Sequence, residues 1–340
     1  MKRPKTLKRI VERSFHVPYP SRLLLAPGMK PTPAHNLINY GGKTISDLCF
    51  TTLYIGGPES WKASDTINID QAIATAMSDR NLNNVMQQYF GSTPITSTFA
   101  PSRELPGPKP TTFSQGDVEK LTADLYAADA LAAFDLTRTV FCFVLPSGSI
   151  LTTDAAPSGP DLKAFLSRSP VQIEDKVSSL EGLGGYHGSI HVGGVTLYYA
   201  IAVYSEVLPD GTQNGIVAFA TPWKNVVATL YHELNEARTD PDVEDAINGG
   251  STNVLGWMSA QGEECGDFPV FEAGAVLSEV MFEVPLSNGR GTVPVQLMYS
   301  NADRGPGMPI AAPPTISRWQ RFLEWLRNFP LIGKLVPAGI

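Results

Sequence analysis

Cysteine is scarce: Cys49, Cys142 and Cys265 are the only three in 340 residues. That number and scatter exclude a disulfide scaffold and a cysteine-built metal site, leaving room for one pair at most. Charge is sparse too, at 17% Asp, Glu, Lys and Arg with a net charge of −7. Without a basic face, nucleic acid is excluded as a partner. No apolar run is long enough for a signal peptide or a membrane span, so the chain as it stands reads as soluble and cytoplasmic. What it has in quantity is apolar residues, 43%, together with 30 glycines and 28 prolines. These describe a globular protein with a sizeable core and many turns, not a helical bundle.

Residues 1–38 read as a basic, proline-punctuated arm with Lys2, Arg3, Lys5, Lys8, Arg9, Arg13 and Arg22. Residues 39–303 read as one large domain, and 304–340 as a proline hinge followed by an amphipathic helix. In the domain, ISDLCFTTLYIGG (45–57) predicts a buried strand closed by Gly56, Gly57 and Pro58. Ile69, Ile73 and Met77 predict a helix in 68–90, with a second short helix around Leu82–Tyr89. The stretch 92–114, broken by proline, predicts loop or irregular strand. DVEKLTADLYAADALAAF (117–134) predicts a helix with Val118, Leu121, Leu125 and Ala128 on one face. TVFCFVLP (139–146), GGVTLYYAIAVY (193–204) and GIVAFAT (215–221) predict strands. Thr221-Pro222, a threonine N-cap before proline, opens a helix expected to end near Arg238. The alternation predicts α/β or α+β with a central mixed sheet flanked by helices. In the tail, Ile316, Trp319, Phe322, Leu323 and Leu326 form an apolar stripe beside Arg318, Arg321 and Arg327. Such a helix docks on its own domain or a second subunit, or else binds a membrane surface or a protein partner.

The chemistry concentrates in TLYHELNEARTDPD (229–242). His232 and Glu236, at i and i+4, project from one helix face and suit two ligands of one Zn²⁺. Glu233 stands where a zinc hydrolase places the base that activates water. The pattern departs from the familiar zinc signature, which has a second histidine where this chain has Glu236. Its plain alternative is a surface His/Glu pair worth ~0.2–0.5 kcal/mol of helix support. Asp240-Pro241 likewise reads as the start of a following short helix.

Other motifs keep company with this one. Gly185-Tyr186-His187 comes in a glycine-rich turn before a strand containing Tyr199-Ala200. The His232-to-Pro241 helix follows, then Gly256-Trp257 and Glu264-Cys265-Gly266-Asp267. With NYGGKTISDLCFTTLYIGG (39–57) upstream and VQLMYSNAD (295–303) downstream, this order resembles the phosphate-induced, EXORDIUM-like family of plants and bacteria. The resemblance covers about residues 39–303. It implies a pattern similar to zinc peptidases without a defined activity, and members that are often secreted. Members often carry cysteines before Gly-Tyr-His and after Gly-Asp; here Gly184 and Phe268-Pro269 stand there, so that cross-link is absent.

Carried over residue by residue, the resemblance makes His232 and Glu236 the metal ligands and Glu233 the base. The third ligand stays open among Asp240, Asp242, Glu264 and Asp267. His187 is a further ligand, a hydrogen-bond donor to a tetrahedral intermediate, or a turn histidine bonded to backbone. His35 and His191 read as structural or solvent-facing, and His16 has no constellation around it. An oxygen-rich set of Asp240, Asp242, Glu244, Glu264 and Asp267 would instead suit Ca²⁺. The expectation is a zinc-dependent, metallopeptidase-like hydrolase acting on a peptide or protein; the alternative is a non-catalytic binding or signalling protein with structural zinc or calcium.

Overall fold

The computed structural model describes residues 25–79, 82–153, 177–243, 245, 252–271, 274–286 and 288–309. The first half holds β1 (Leu37–Asn39), β2 (Asp47–Tyr54), α1 (Ala63–Ser78), α2 (Asn84–Gln87), β3 (Thr96–Phe99) and β4 (Arg103–Glu104). Next come β5 (Thr112–Ser114), α3 (Gln115–Ala127), β6 (Thr139–Val144), β7 (Ile150–Thr152), β8 (Gly185–Val192) and β9 (Val195–Ala202). A small hairpin of β10 (Glu206–Val207) and β11 (Gln213–Asn214) precedes α4 (Pro222–Thr239). The chain then forms β12 (Trp257–Ser259), α5 (Asp267–Phe271), α6 (Leu277–Val280), β13 (Met281–Pro285), β14 (Thr292–Gln296), β15 (Met298–Ser300) and β16 (Gly305–Gly307).

The main sheet has the order β3-β2-β6-β9-β8, with β4 extending the β3 edge. Strands β3, β2, β6 and β9 are parallel, and β8 closes the far edge antiparallel to β9. The inner strands are apolar on both sides because both sides are covered. One face, with Phe50, Val140, Cys142 and Ala200, packs against Ile69 and Ile73 of α1 and Leu230 and Leu234 of α4. The other, with Leu53, Phe141, Phe143 and Ile201, packs against Val118 of α3 and Leu131. The architecture is mixed α/β, as the alternation predicted.

Helix α4 is the element that places the chemistry. Fourteen of its residues are buried, which no surface helix would show. It touches the sheet through β8 and β9, α1 on its flank, and β14 on its outer side. Four of its ionisable side chains, His232, Glu233, Glu236 and Arg238, therefore sit inside the molecule, while Lys224 in its first turn pairs with Glu283 nearer the surface.

Several expectations need correction. The run 215–221 is not a strand: its backbone is held by side chains, Ile216 N–H donating to Ser205 Oγ and the Ala218 and Phe219 N–H groups to Asn225 Oδ1. Helix α4 opens at Pro222, but Thr221 makes no side-chain cap bond. Helix α3 stops at Ala127, and Asp129 turns into positive φ so that Leu131 folds back onto the sheet. The 92–114 stretch includes β3, β4 and β5. His187 lies within strand β8, and the glycine turn is the Gly193-Gly194 corner of the β8–β9 hairpin, both at positive φ. Asp240 ends α4, and helical backbone resumes at Val243, not at Pro241. All three cysteines are free and buried.

The described part of the arm packs on the domain, with Leu25 bridging to Gly307, β1 paired with β12, and Leu37 buried. Among the described residues no helix is long and apolar enough to cross a membrane. Residues 1–24, Glu244 and the C-terminal stripe lie outside the described residues.

Candidate metal centre

His232 Nε2 lies 2.9 Å from Glu236 Oε2, one helical turn away on α4. Two further segments close around them. The turn into α5 brings Gly266, whose N–H donates to Glu236 Oε1 at 2.8 Å, and the first residue of α5, Asp267, whose Oδ1 is 3.8 Å from His232 Nε2. Strand β14 brings Gln296. Its side-chain nitrogen donates to the Gly266 carbonyl at 2.8 Å, which turns its Oε1 toward His232 Nδ1 at 3.0 Å. An amide oxygen only accepts, so His232 Nδ1 carries the hydrogen and Nε2 faces Glu236 and Asp267. This is the arrangement in which outer groups fix the ring of a metal-binding histidine.

His187 approaches from the opposite side, on β8. Its Nε2 donates to the Asp240 carbonyl at 3.1 Å, so its Nδ1 faces α4. That nitrogen lies 3.4 Å from Glu233 Oε2 and 3.9 Å from Glu236 Oε2. Glu264 Oε1 stands 3.5 Å from His187 Nε2 and makes no hydrogen bond among the described residues.

Two groups of three metal-ligating side chains result, His187–Glu236–Glu264 and His232–Glu236–Asp267, each with its ligand atoms within 4.8 Å of one another. A buried His-Glu-Glu group able to hold a metal ion is thus present. Glu236 belongs to both. The first group is enclosed; the second reaches solvent through His232 and Asp267, whose side chains are 12% and 29% exposed.

The remaining predicted residues fall around these groups. Glu233 is buried between α4 and β8, its Oε1 3.2 Å from where a side chain at Gly185 would begin. Asp240 belongs to neither group: its Oδ1 accepts the Gly256 N–H at 2.9 Å, while its buried Oδ2 has no hydrogen bond among the described residues. Asp242 stands apart, near Asp245 and Lys43. The described members of the oxygen-rich calcium set therefore do not converge on one point. His35 pairs with Glu263 and His191 with Asp245, outside the centre.

The electrostatics show a shortage of positive charge. Burial pushes Glu264 well above the usual carboxylate range, and Glu236 and Asp240 add to it. Burial likewise raises Asp240 and Asp267 to about 7 each. Burial opposes charging the two histidines, yet Glu233 and Glu236 outweigh it, lifting His187 to about 9 and His232 well above its ordinary value. Burial raises Glu236 too, but the adjacent His232 brings it below the usual range. A group of acids, largely buried and with only two histidines beside it, fits a divalent ion.

Two contributors escaped the sequence reading. Gln296 lies 60 residues beyond Glu236, and its only signal is an amide within the apolar run VPVQLMY. Gly266 was seen only as part of Glu-x-Gly-Asp; a Cβ there would lie 2.5 Å from His232 Nδ1 and 2.9 Å from Glu236 Oε1. Compared with known proteins, the chain matches no family model, no curated protein and no solved structure.

Proposed function

We propose that the chain is a zinc-dependent, metallopeptidase-like hydrolase acting on peptide or protein amides. His232, Glu236 and Asp267 are its metal ligands and Glu233 its base. The observation that supports this most is the orientation of His232 by Gln296 and Gly266, beside a second ligand and a partly exposed third. Partial exposure matters because a catalytic metal keeps one position open to water and substrate, whereas a structural one is closed. When bound, zinc supplies a Lewis acid that lowers the pKa of water toward ~7. Glu233 accepts the proton of the attacking water. His187 Nδ1 lies 3.4 Å from that carboxylate. The likeness in motif order to the EXORDIUM-like family belongs to the same proposal.

The test is elemental analysis with activity. Wild type should hold zinc and His232→Ala should lose it. Glu233→Gln should keep zinc and lose hydrolysis of a peptide library by ~10²–10⁴-fold. The second reading, a non-catalytic binding protein with a structural metal, is favoured by the enclosure of Glu233 and Glu236, 4% and 3% exposed. Full metal content with no hydrolysis of any peptide would establish that reading instead.

A further inference from the structure

We propose that the centre holds two divalent cations, with Glu236 bridging them. The inference rests on the reading above for the first ion, at His232, Glu236 and Asp267, and adds a second at His187, Glu236 and Glu264.

The two histidines are built alike. Each donates one ring N–H to a protein oxygen, His232 Nδ1 to the Gln296 side chain and His187 Nε2 to the Asp240 backbone. Each thereby turns its other nitrogen toward the same atom: Glu236 Oε2 is 2.9 Å from His232 Nε2 and 3.9 Å from His187 Nδ1. A hydrogen bond from the far ring nitrogen to a carbonyl or carboxylate is the usual support of a metal-ligating histidine. Here it occurs twice, on opposite sides of one carboxylate. Glu236 is suited to bridge because its Oε1 is held by the Gly266 N–H, which leaves Oε2 facing both rings.

The carboxylates divide in the same way. One short loop supplies Asp267 to the His232 side and Glu264 to the His187 side, and neither group contains both histidines. Glu264 is 8% exposed and its Oε1 makes no hydrogen bond among the described residues. Ligation asks it to swing from the Nε2 edge of His187 toward the Nδ1 edge, breaking no hydrogen bond of Oε1. Asp240 Oδ2, buried beside this side of the centre, also lacks a hydrogen bond among the described residues. Buried carboxylate oxygens are rarely left so, because each costs its desolvation without return. Charge points the same way: Glu236, Glu264 and Asp267 bring three carboxylates to the two groups, and one divalent ion offsets only two of them. Nitrogen and carboxylate ligands on both sides suit Zn²⁺ or Mn²⁺.

The test uses the whole chain, stripped with chelator. Equilibrium dialysis against Zn²⁺ should give two ions per chain. Loading with Mn²⁺ should give the exchange-coupled electron paramagnetic resonance spectrum of neighbouring ions. Glu264→Gln and His187→Asn should each reduce the count from two to one and leave an isolated-ion spectrum. One ion per wild-type chain, with no coupling, would overturn the inference while the single-metal reading stands. Two uncoupled ions would place the second elsewhere and overturn it as well. No ion at all would remove both readings. The wild-type count and coupling decide the matter even where a variant fails to fold.

Discussion

Gly266 shows how narrowly the ligands are held. Alanine there would press a methyl group against His232 and Glu236 at once, and neither can move without losing Gln296 or the Gly266 N–H. If the centre holds a metal, Gly266→Ala should weaken its binding by at least ~10-fold; in either case it should destabilise the fold by ~1–3 kcal/mol, as overpacking does. Competition with a chromophoric chelator reads the first and a denaturant melt the second. Gln296→Leu removes the hydrogen bond that fixes the His232 tautomer and the one to the Gly266 carbonyl, so metal affinity should fall ~10–100-fold and the metal-free protein should lose ~1–3 kcal/mol in the melt. Unchanged affinity in that variant would refute the role given to Gln296. At this scale the sequence was half legible. His232, Glu233 and Glu236 announce themselves because helical spacing is written locally, while Gln296 depends on which strand lands on α4.

Among the elements, the inner strands were legible because burial on both faces leaves an unbroken apolar run, as in TVFCFV. The run 215–221 misled for the same reason: it is apolar, yet its backbone partners are Ser205 and Asn225, a choice no periodicity records. The burial of α4 all round was hidden too, since its polar residues look like a solvent face until β8 and β14 cover them. The fit between β8 and α4 has its own test. A Cβ at Gly185 would lie 2.2 Å from the Ile201 carbonyl and 2.8 Å from Thr229. Gly185→Ala should lower the denaturation midpoint by the equivalent of ~1–3 kcal/mol. It should also push His187 off Glu233, which an altered histidine titration by NMR would register.

For the molecule as a whole, the crowded acids set the pH response. Asp240 and Asp267, raised to about 7 from 3.8, keep protons in the folded chain that the unfolded chain has already released. Stability therefore falls as pH rises from about 4 to 7. His187, raised to about 9, extends the fall from 6.5 upward. Glu236 works oppositely, but being lowered it acts only below its ordinary 4.5. Metal-free protein should melt at a lower temperature at pH 8 than at pH 5, and a divalent cation bound at the centre should narrow the gap. A melting temperature that is flat or rises over that range contradicts the description of the centre.

The order in which the chain is made adds a consequence. Helix α4 is finished before the loop carrying Glu264 and Asp267 and before the strand carrying Gln296. That loop is then pinned from both directions, Glu263 by His35 from the start of the described chain and the Cys265 carbonyl by the Tyr299 N–H from near its end. A nascent chain halted short of these segments has the helix with His232 and Glu236 but lacks Glu264, Asp267 and Gln296, the other side chains from which a cation site could be closed.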